Sequence, residues 1–273
     1  MTTPQPELSF KAPPLIEVSF SIQFEPIENF HLGFIGLTWN TFRDRYPIVE
    51  IANQLPHQIE KFGVISRKRP PSFTFQEETE VPRLLIVSED SQYIIQIQKD
   101  RFIFNWRNFE NLNEYPRYPQ IKKKVLGELG VFTKFLADSE FAPPTINQIE
   151  VTYINHIDAT NRSIEDIFKD VVVESGFSPS LTLEAFSINL KHLITREKTK
   201  VGRLYTAIEK ASRVADGSEI YVLKFVARVH PAEPSIAGLN SSMDIAREEI
   251  NNSFRAITTM AMHEEWNKER EKK

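Results

Sequence analysis

The sequence contains no cysteine. This excludes disulfides, thiolate metal sites and cysteine nucleophiles, and it accords with a reducing compartment. Glycine is scarce, with 9 in 273 residues. No GxxxxGK, GxGxxG or GxSxG pattern occurs, so phosphate-cradling loops and nucleophile elbows are not expected. No apolar run approaches the roughly 20 residues that a membrane-spanning helix needs. The opening stretch MTTPQPELSFKAPP is polar and proline-rich, unlike a secretory signal. A formal net charge of −4 supplies no global field for nucleic acid or an anionic membrane. His31, His57, His156, His192, His230 and His263 are scattered, without HxH or HExxH spacing, so no metal site or cofactor is expected. These absences lead to the expectation of a soluble, cytoplasmic protein.

What is present is an ordinary globular composition, 41% hydrophobic and 26% charged, with 20 phenylalanines. Its clearest pattern lies between Gln92 and Tyr118. Tyr93, Ile95 and Ile97 alternate with glutamines, then Phe102, Phe104 and Trp106 alternate with Arg101, Asn105 and Arg107. Alternation with period two marks two strands that each have one apolar face. With Lys99-Asp100 as the turn, Ile97 faces Phe102, Ile95 faces Phe104 and Tyr93 faces Trp106. A slip by one residue would turn this aromatic ladder to water, so the facing is well specified.

Residues 1–14 read as a flexible lead-in. Leu15–Glu25 alternates as a half-buried strand that Pro26 closes. A helix is expected from Leu32 towards Tyr46, with Phe34, Leu37, Trp39 and Phe42 on one face, and Pro47 stops it. Short strands are expected near Phe62–Arg67, Phe73–Gln76 and Arg83–Ser88. After the hairpin, Ile121, Val125, Leu129, Phe132 and Leu136 mark a helix face. Ile149-Glu150-Val151-Thr152-Tyr153 then echoes Ile16-Glu17-Val18-Ser19-Phe20, each following a Pro-Pro pair. Ser163 to Asp166 resembles a capping box that opens a helix to about Val173. Strands follow near Leu183–Thr195, Gly202–Val214 and Glu219–His230, the last two joined through Asp216-Gly217. Ser241-Ser242 is read as the cap of a final helix with Ala246, Ile250, Phe254, Ile257 and Ala261 on its face. The tail NKEREKK is charged.

The order strand, helix, several strands, long helix thus occurs twice. The expectation is an α+β protein, a duplicated unit with first half 15–141 and second half 142–268. Helices would cover one face of each antiparallel sheet, and residues 269–273 would form a charged tail.

Chemistry is thinly signalled. KDRFIFNW has the basic and aromatic character of an RNA-binding strand, but its aromatics occupy the hairpin's only apolar face, so burial is the default. Basic clusters at Arg67-Lys68-Arg69 and at Arg196, Lys198, Lys200 and Arg203 read mainly as solvated loops. The polar side of the hairpin gathers Gln96, Gln98, Arg101, Asn105 and Arg107, with Tyr115, Arg117 and Tyr118 close behind. Arginine with tyrosine is the composition of interface hot spots, so these are the candidate partner-binding residues. The alternative is a structural network tying the hairpin to residues 108–116.

PPLIEVSFSIQFEP at 13–26, QIQKDRFIFNWR at 96–107, YPRY at 115–118 and MHEEW at 262–266 resemble a sporadically distributed, uncharacterised family of bacterial and archaeal proteins of about 250 residues. The resemblance covers nearly the whole chain and carries over no catalytic residue. Patchy distribution implies horizontal transfer, as for toxin–antitoxin and anti-phage genes. The expectation is a non-enzymatic protein-binding module, antitoxin-like or accessory to a defence system, whose protein partner is a toxin or effector from the same locus. Two alternatives stay open: an enzyme acting on nucleic acid or nucleotides between the two halves, first at Asp100, Arg101 and Asn105, and a nucleic-acid-binding protein without chemistry. A homo-oligomer also stays open.

Overall fold

The structure, a computed structural model, describes residues 10–63, 81–108, 114–169, 171 and 186–267. Their order is β1 (Leu15–Phe24), α1 (Leu32–Phe42), β2 (Ile48–Ala52), β3 (Arg83–Val87), β4 (Tyr93–Gln98), β5 (Arg101–Arg107) and α2 (Tyr118–Asp138). There follow β6 (Ile146–Asp158), α3 (Ile164–Ile167), β7 (Ser187–Arg196), β8 (Thr199–Ser212), β9 (Glu219–Val229), α4 (Ile236–Ile257) and α5 (Met260–Asn267). The chain is α+β. Instead of two sheets, one antiparallel sheet of nine strands forms, in the order β2-β3-β4-β5-β1-β6-β9-β8-β7. No helix among the described residues is long and apolar enough to cross a membrane.

The hairpin register is the expected one, with Tyr93 opposite Trp106, Ile95 opposite Phe104 and Ile97 opposite Phe102. At the centre β1 pairs β6, placing Val18, Phe20 and Ile22 beside Tyr153, Val151 and Ile149. These side chains face the helices and are buried. Phe20 packs on Tyr118 and Phe24 on Phe132 of α2, while Phe225 of β9 meets Phe254 of α4. Aromatic side chains of this size supply much of the apolar area removed from water.

Several local expectations shift. The strand expected near 73–76 and most of that near 62–67 lie outside the described residues, as do 269–273; Phe62 and Gly63 are not strand. In α1, Leu37 is exposed and Ile35 takes the inward position. The Ser163–Asp166 capping box is present, but α3 ends at Ile167. There Phe168 turns extended, bridges Thr258 and packs edge-on against Tyr221. The last long helix starts at Ser235, whose hydroxyl accepts from Gly238 N, and Ser241 and Ser242 lie inside it, bonded to Gly238 O. Its first turns hold weak helix formers, Gly238, Asn240 and these two serines. Burial of Leu239, Ser242 and Met243 therefore decides its start. Gly238 is required there, because a Cβ would strike the carbonyl of Glu233. Thr258, in extended conformation, separates α4 from α5, so Ala261 is not on the α4 face.

The other face of the central strands is mainly polar and is covered in part. After β2, residues 53–61 run across it as a strap held by side-chain bonds to backbone. Gln98 bonds both N and O of Leu55, and Arg101 donates to Pro56 O at 3.0 Å. Gln148 bonds Gln58 O and Glu60 N. At its far end the buried Glu60 carboxylate accepts from Tyr205 at 2.6 Å, Arg228 at 3.1 Å and Arg203. Burial pushes its carboxyl up, but the hydrogen bonds from Tyr205, Arg203 and Arg228 outweigh this and hold it below its ordinary value. A carboxyl lowered by folding stabilises the fold above its unfolded pKa, and that stability is lost as pH falls through the folded pKa. Glu60→Gln should therefore cost about 3 kcal/mol at pH 7. In chemical denaturation across pH, the difference from wild type should begin to shrink as pH falls below the ordinary glutamate range, roughly pH 4.3, and be lost only once pH is below the lowered folded value; a gap that does not shrink in acid would contradict this role.

Candidate functional site

Where β1 and β6 leave the centre of the sheet on its helix face, a cavity of about 390 Å³ lies between the first turn of α2 and the second half of α4. Phe10, Leu15, Ile250 and Phe254 give it apolar walls. Tyr115, Tyr118, Tyr153, Arg117 and Arg247 supply the polar chemistry, and no aspartate or glutamate among the described residues lines it. Each element delivers its side chain for a local reason. Tyr153 and Asn155 follow Ile149 and Val151 on the inward face of β6, where Asn155 donates to Leu223 O at 3.1 Å. Arg247 lies one turn from Met243 and Ile250, at the rim of the buried α4 stripe.

The Arg247 guanidinium sits 4.4 Å from the centre of the Tyr118 ring, within cation–π range. Tyr118 donates to Asp244 at 2.6 Å, and Lys122 pairs with the same carboxylate at 2.8 Å. Arg117 donates to Phe10 O at 2.8 Å, tying the amino-terminal segment to the start of α2. The Tyr115 and Tyr153 hydroxyls are 3.5 Å apart. Burial raises the Tyr153 phenol well above its ordinary value and Tyr115 adds to it; burial, then Asp244, does the same for Tyr118. Both remain protonated donors at working pH. Arg117 itself has φ 67° and ψ 153°, a region nearly reserved for glycine that costs a side-chain-bearing residue on the order of 1–3 kcal/mol.

A second hollow, of about 500 Å³, lies at the strap end beside Glu25, His57, Lys99 and Asp100. His57 Nδ1 is 2.9 Å from the buried Asp100 carboxylate, which also accepts from Gln98 at 2.6 Å. The imidazole is half exposed, so a carboxylate orients a ring whose other edge reaches the hollow. Among the described residues, no group of three or more His, Asp or Glu is placed to hold a metal ion.

The candidate residues read from sequence divide between the two faces. Gln96, Gln98, Arg101, Asn105 and Arg107 share the strap face. Gln98 and Arg101 are buried beneath the strap, and Asn105 is buried between Gln96 at 2.9 Å and Glu17 at 2.7 Å. Arg107, half-buried, donates to Ser91 O. Tyr115, Arg117 and Tyr118 instead line the cavity on the helix face. Of the basic clusters, Arg196 pairs with Glu248 and Glu249 and Arg203 with Glu60, while Arg67-Lys68-Arg69 lies outside the described residues. Sequence reading missed Tyr153, Arg247 and His57. Tyr153 and Asn155 on an otherwise apolar strand face were a usable signal, since a buried hydroxyl or amide needs a partner.

No family model, curated protein or solved structure matches the chain. The resemblance of its motifs to the sporadically distributed family thus stands on those residues alone. For the Arg117 backbone, Arg117→Gly should be more stable than Arg117→Ala by about 1 kcal/mol, read as a difference in denaturation midpoint. Equal stabilities would mean that the strained conformation is not populated.

Proposed function

We propose that the protein is a binding module and that the tyrosine- and arginine-lined cavity receives a segment of a partner protein. The observation that carries this is the joint delivery of Tyr115, Arg117, Tyr118, Tyr153 and Arg247 to one concavity by elements from both halves of the chain. Aromatic rings bury large area at low entropy cost, and guanidinium groups add directed donors, the combination that concentrates binding energy. A volume of about 390 Å³ falls in the range of pockets that hold a ligand or an anchoring side chain, roughly 300–1,000 Å³. The family resemblance makes a toxin or effector encoded nearby the first partner to test, and the chain an antitoxin-like or accessory protein of a defence locus.

The same reading takes the two halves as duplicates. Aligning Ile16–Phe20 with Ile149–Tyr153 makes Ser19 the counterpart of Thr152, and these two face each other at the β1–β6 seam. Glu17 stands opposite Arg107 and its counterpart Glu150 opposite Arg228. In each half the last strand returns to pair with the first, β5 with β1 and β9 with β6, which supports this reading. Duplication supplies two long helices packed side by side, and the cavity opens between them.

Asn251→Trp fills the cavity from a half-buried position on α4. With the melting temperature unchanged within about 2 °C, affinity purification from the native host should lose the stoichiometric partner that wild type retains; retention would sink this placement. The His57–Asp100 pair favours a second reading, an enzyme acting on nucleic acid or nucleotides with His57 as general base. On that reading, turnover of a nucleotide or nucleic-acid substrate falls at least about a hundredfold in His57→Ala, and an unchanged rate excludes the role.

A further inference from the structure

Towards β2 the apolar side of the sheet runs out from under its helices. In β3, Leu84 and Ile86 belong to the core and are 2% and 0% exposed. Their partners across the β2–β3 pair are Ile51 and Val49, whose side chains therefore lie on the same side of the sheet. Yet Ile51 is 65% exposed and Val49 44%. On that side α1 packs against β3 and α2. Its eleven residues, LGFIGLTWNTF, include no charged side chain, whereas a surface helix ordinarily turns a charged or polar face to water. Ile35, Thr38 and Phe42 point inward and are buried. Leu32 and Leu37 point outward, at 63% and 54% exposure. With them lies Gly36, where a Cβ would meet nothing within 4 Å. Glycine weakens a helix interior, and here it leaves the helix backbone open to close approach from outside.

We infer that this surface, the outer face of α1 with the helix side of β2, docks a second copy of the chain about a two-fold axis. Area is the first argument. Leu32, Leu37, Val49 and Ile51 together expose on the order of 400 Å², the size at which an apolar patch on a monomer is commonly an interaction site. A two-fold contact covers the patch twice, removing roughly 800 Å² of apolar surface from water. At the roughly 65% apolar share of homodimer interfaces, this corresponds to about 1,200 Å² in total, enough for a stable pair. Charge is the second argument. The helix is uncharged, but the exposed Glu28 precedes it and Arg43 follows it. Arg43 is held only loosely, 3.8 Å from Asp44, with both side chains exposed. A two-fold axis across α1 sets the two helices antiparallel, so Glu28 of one copy approaches Arg43 of the other. An uncharged centre with opposite charges at its two ends is complementary to itself, as an isologous contact requires. None of these residues lines the cavity between α2 and α4, so the two surfaces can be occupied together and tested apart.

Sedimentation equilibrium of the full-length protein, from about 1 to 100 μM, should give a mass rising to twice the 31.6 kDa of the chain. Leu37→Glu and Ile51→Glu lie at exposed positions and should leave the melting temperature within about 2 °C of wild type. Each should raise the dimer dissociation constant at least about a hundredfold, because carboxylates then enter an apolar contact from both copies. Arg43→Glu should weaken the dimer about tenfold, and adding Glu28→Arg should restore it. The absence of cysteine makes Gly36→Cys a unique thiol. A bismaleimide should link it into covalent dimers, while Val214→Cys, at the exposed turn between β8 and β9, should stay monomeric. A wild-type mass that remains 31.6 kDa over the whole range overturns the inference. So does a dimer that Leu37→Glu and Ile51→Glu together leave unchanged, or one that links equally well at positions 36 and 214.

Discussion

The antiparallel contact between β1 and β6 is the constraint on which the rest of the molecule depends. Each strand is committed on both faces. Val18, Phe20, Ile22, Ile149 and Val151 are buried towards the helices, while Ser21, Gln23 and Gln148 are buried on the strap side. A slip of one residue would place glutamines in the aromatic core and phenylalanines beneath the strap, so the register is held from both directions. Because the seam joins the strands of residues 15–107 to those of residues 146–229, it also sets where α2 lies beside α4, and hence where a cavity opens between them.

The strap solves a problem that this seam creates. A sheet whose second face carries Gln98, Arg101, Glu150 and Arg228 could lie open to water. Covering it removes those groups from solvent, and each then needs a partner. The partners come largely from main chain: Pro56 O for Arg101, Leu55 N and O for Gln98, and Gln58 O for Gln148. At Glu60 charge meets charge, with Arg203 and Arg228 on one carboxylate and Glu150 on the other side of Arg228. A strap tied mainly by polar bonds fixes direction and place more than it adds net stability, since each bond replaces one to water.

The candidate binding cavity shows the same separation between geometry and chemistry. Helix packing leaves a concavity at either end of the α2–α4 pair. One end is capped by a serine; the other begins at Arg117, with a backbone conformation that suits glycine and a side chain bound to Phe10 O. A side chain kept at a strained position argues that something other than stability holds it there, and the guanidinium at the mouth of a tyrosine-lined cavity is the physical candidate.

Much was legible before any tertiary structure. The β4–β5 register followed from the alternation of Tyr93, Ile95 and Ile97 with the aromatics of 102–106, because period two and a short turn leave one arrangement that buries them. The inward face of α2 and the Ser163 capping box were equally readable from local spacing. The start of α4 was not, since its first turns hold poor helix formers and burial alone recruits them. Nor could sequence show that Gln98 and Arg101 lie under residues 53–61, that Tyr115 meets Tyr153, or that Arg247 stacks on Tyr118. Those encounters join residues far apart in the chain, and their positions are set by strand order and by which sheet face each helix covers. Local periodicity decided which side of each strand is apolar; the nine-stranded sheet decided what lies against it, because partners distant in sequence meet only once the sheet has brought them together.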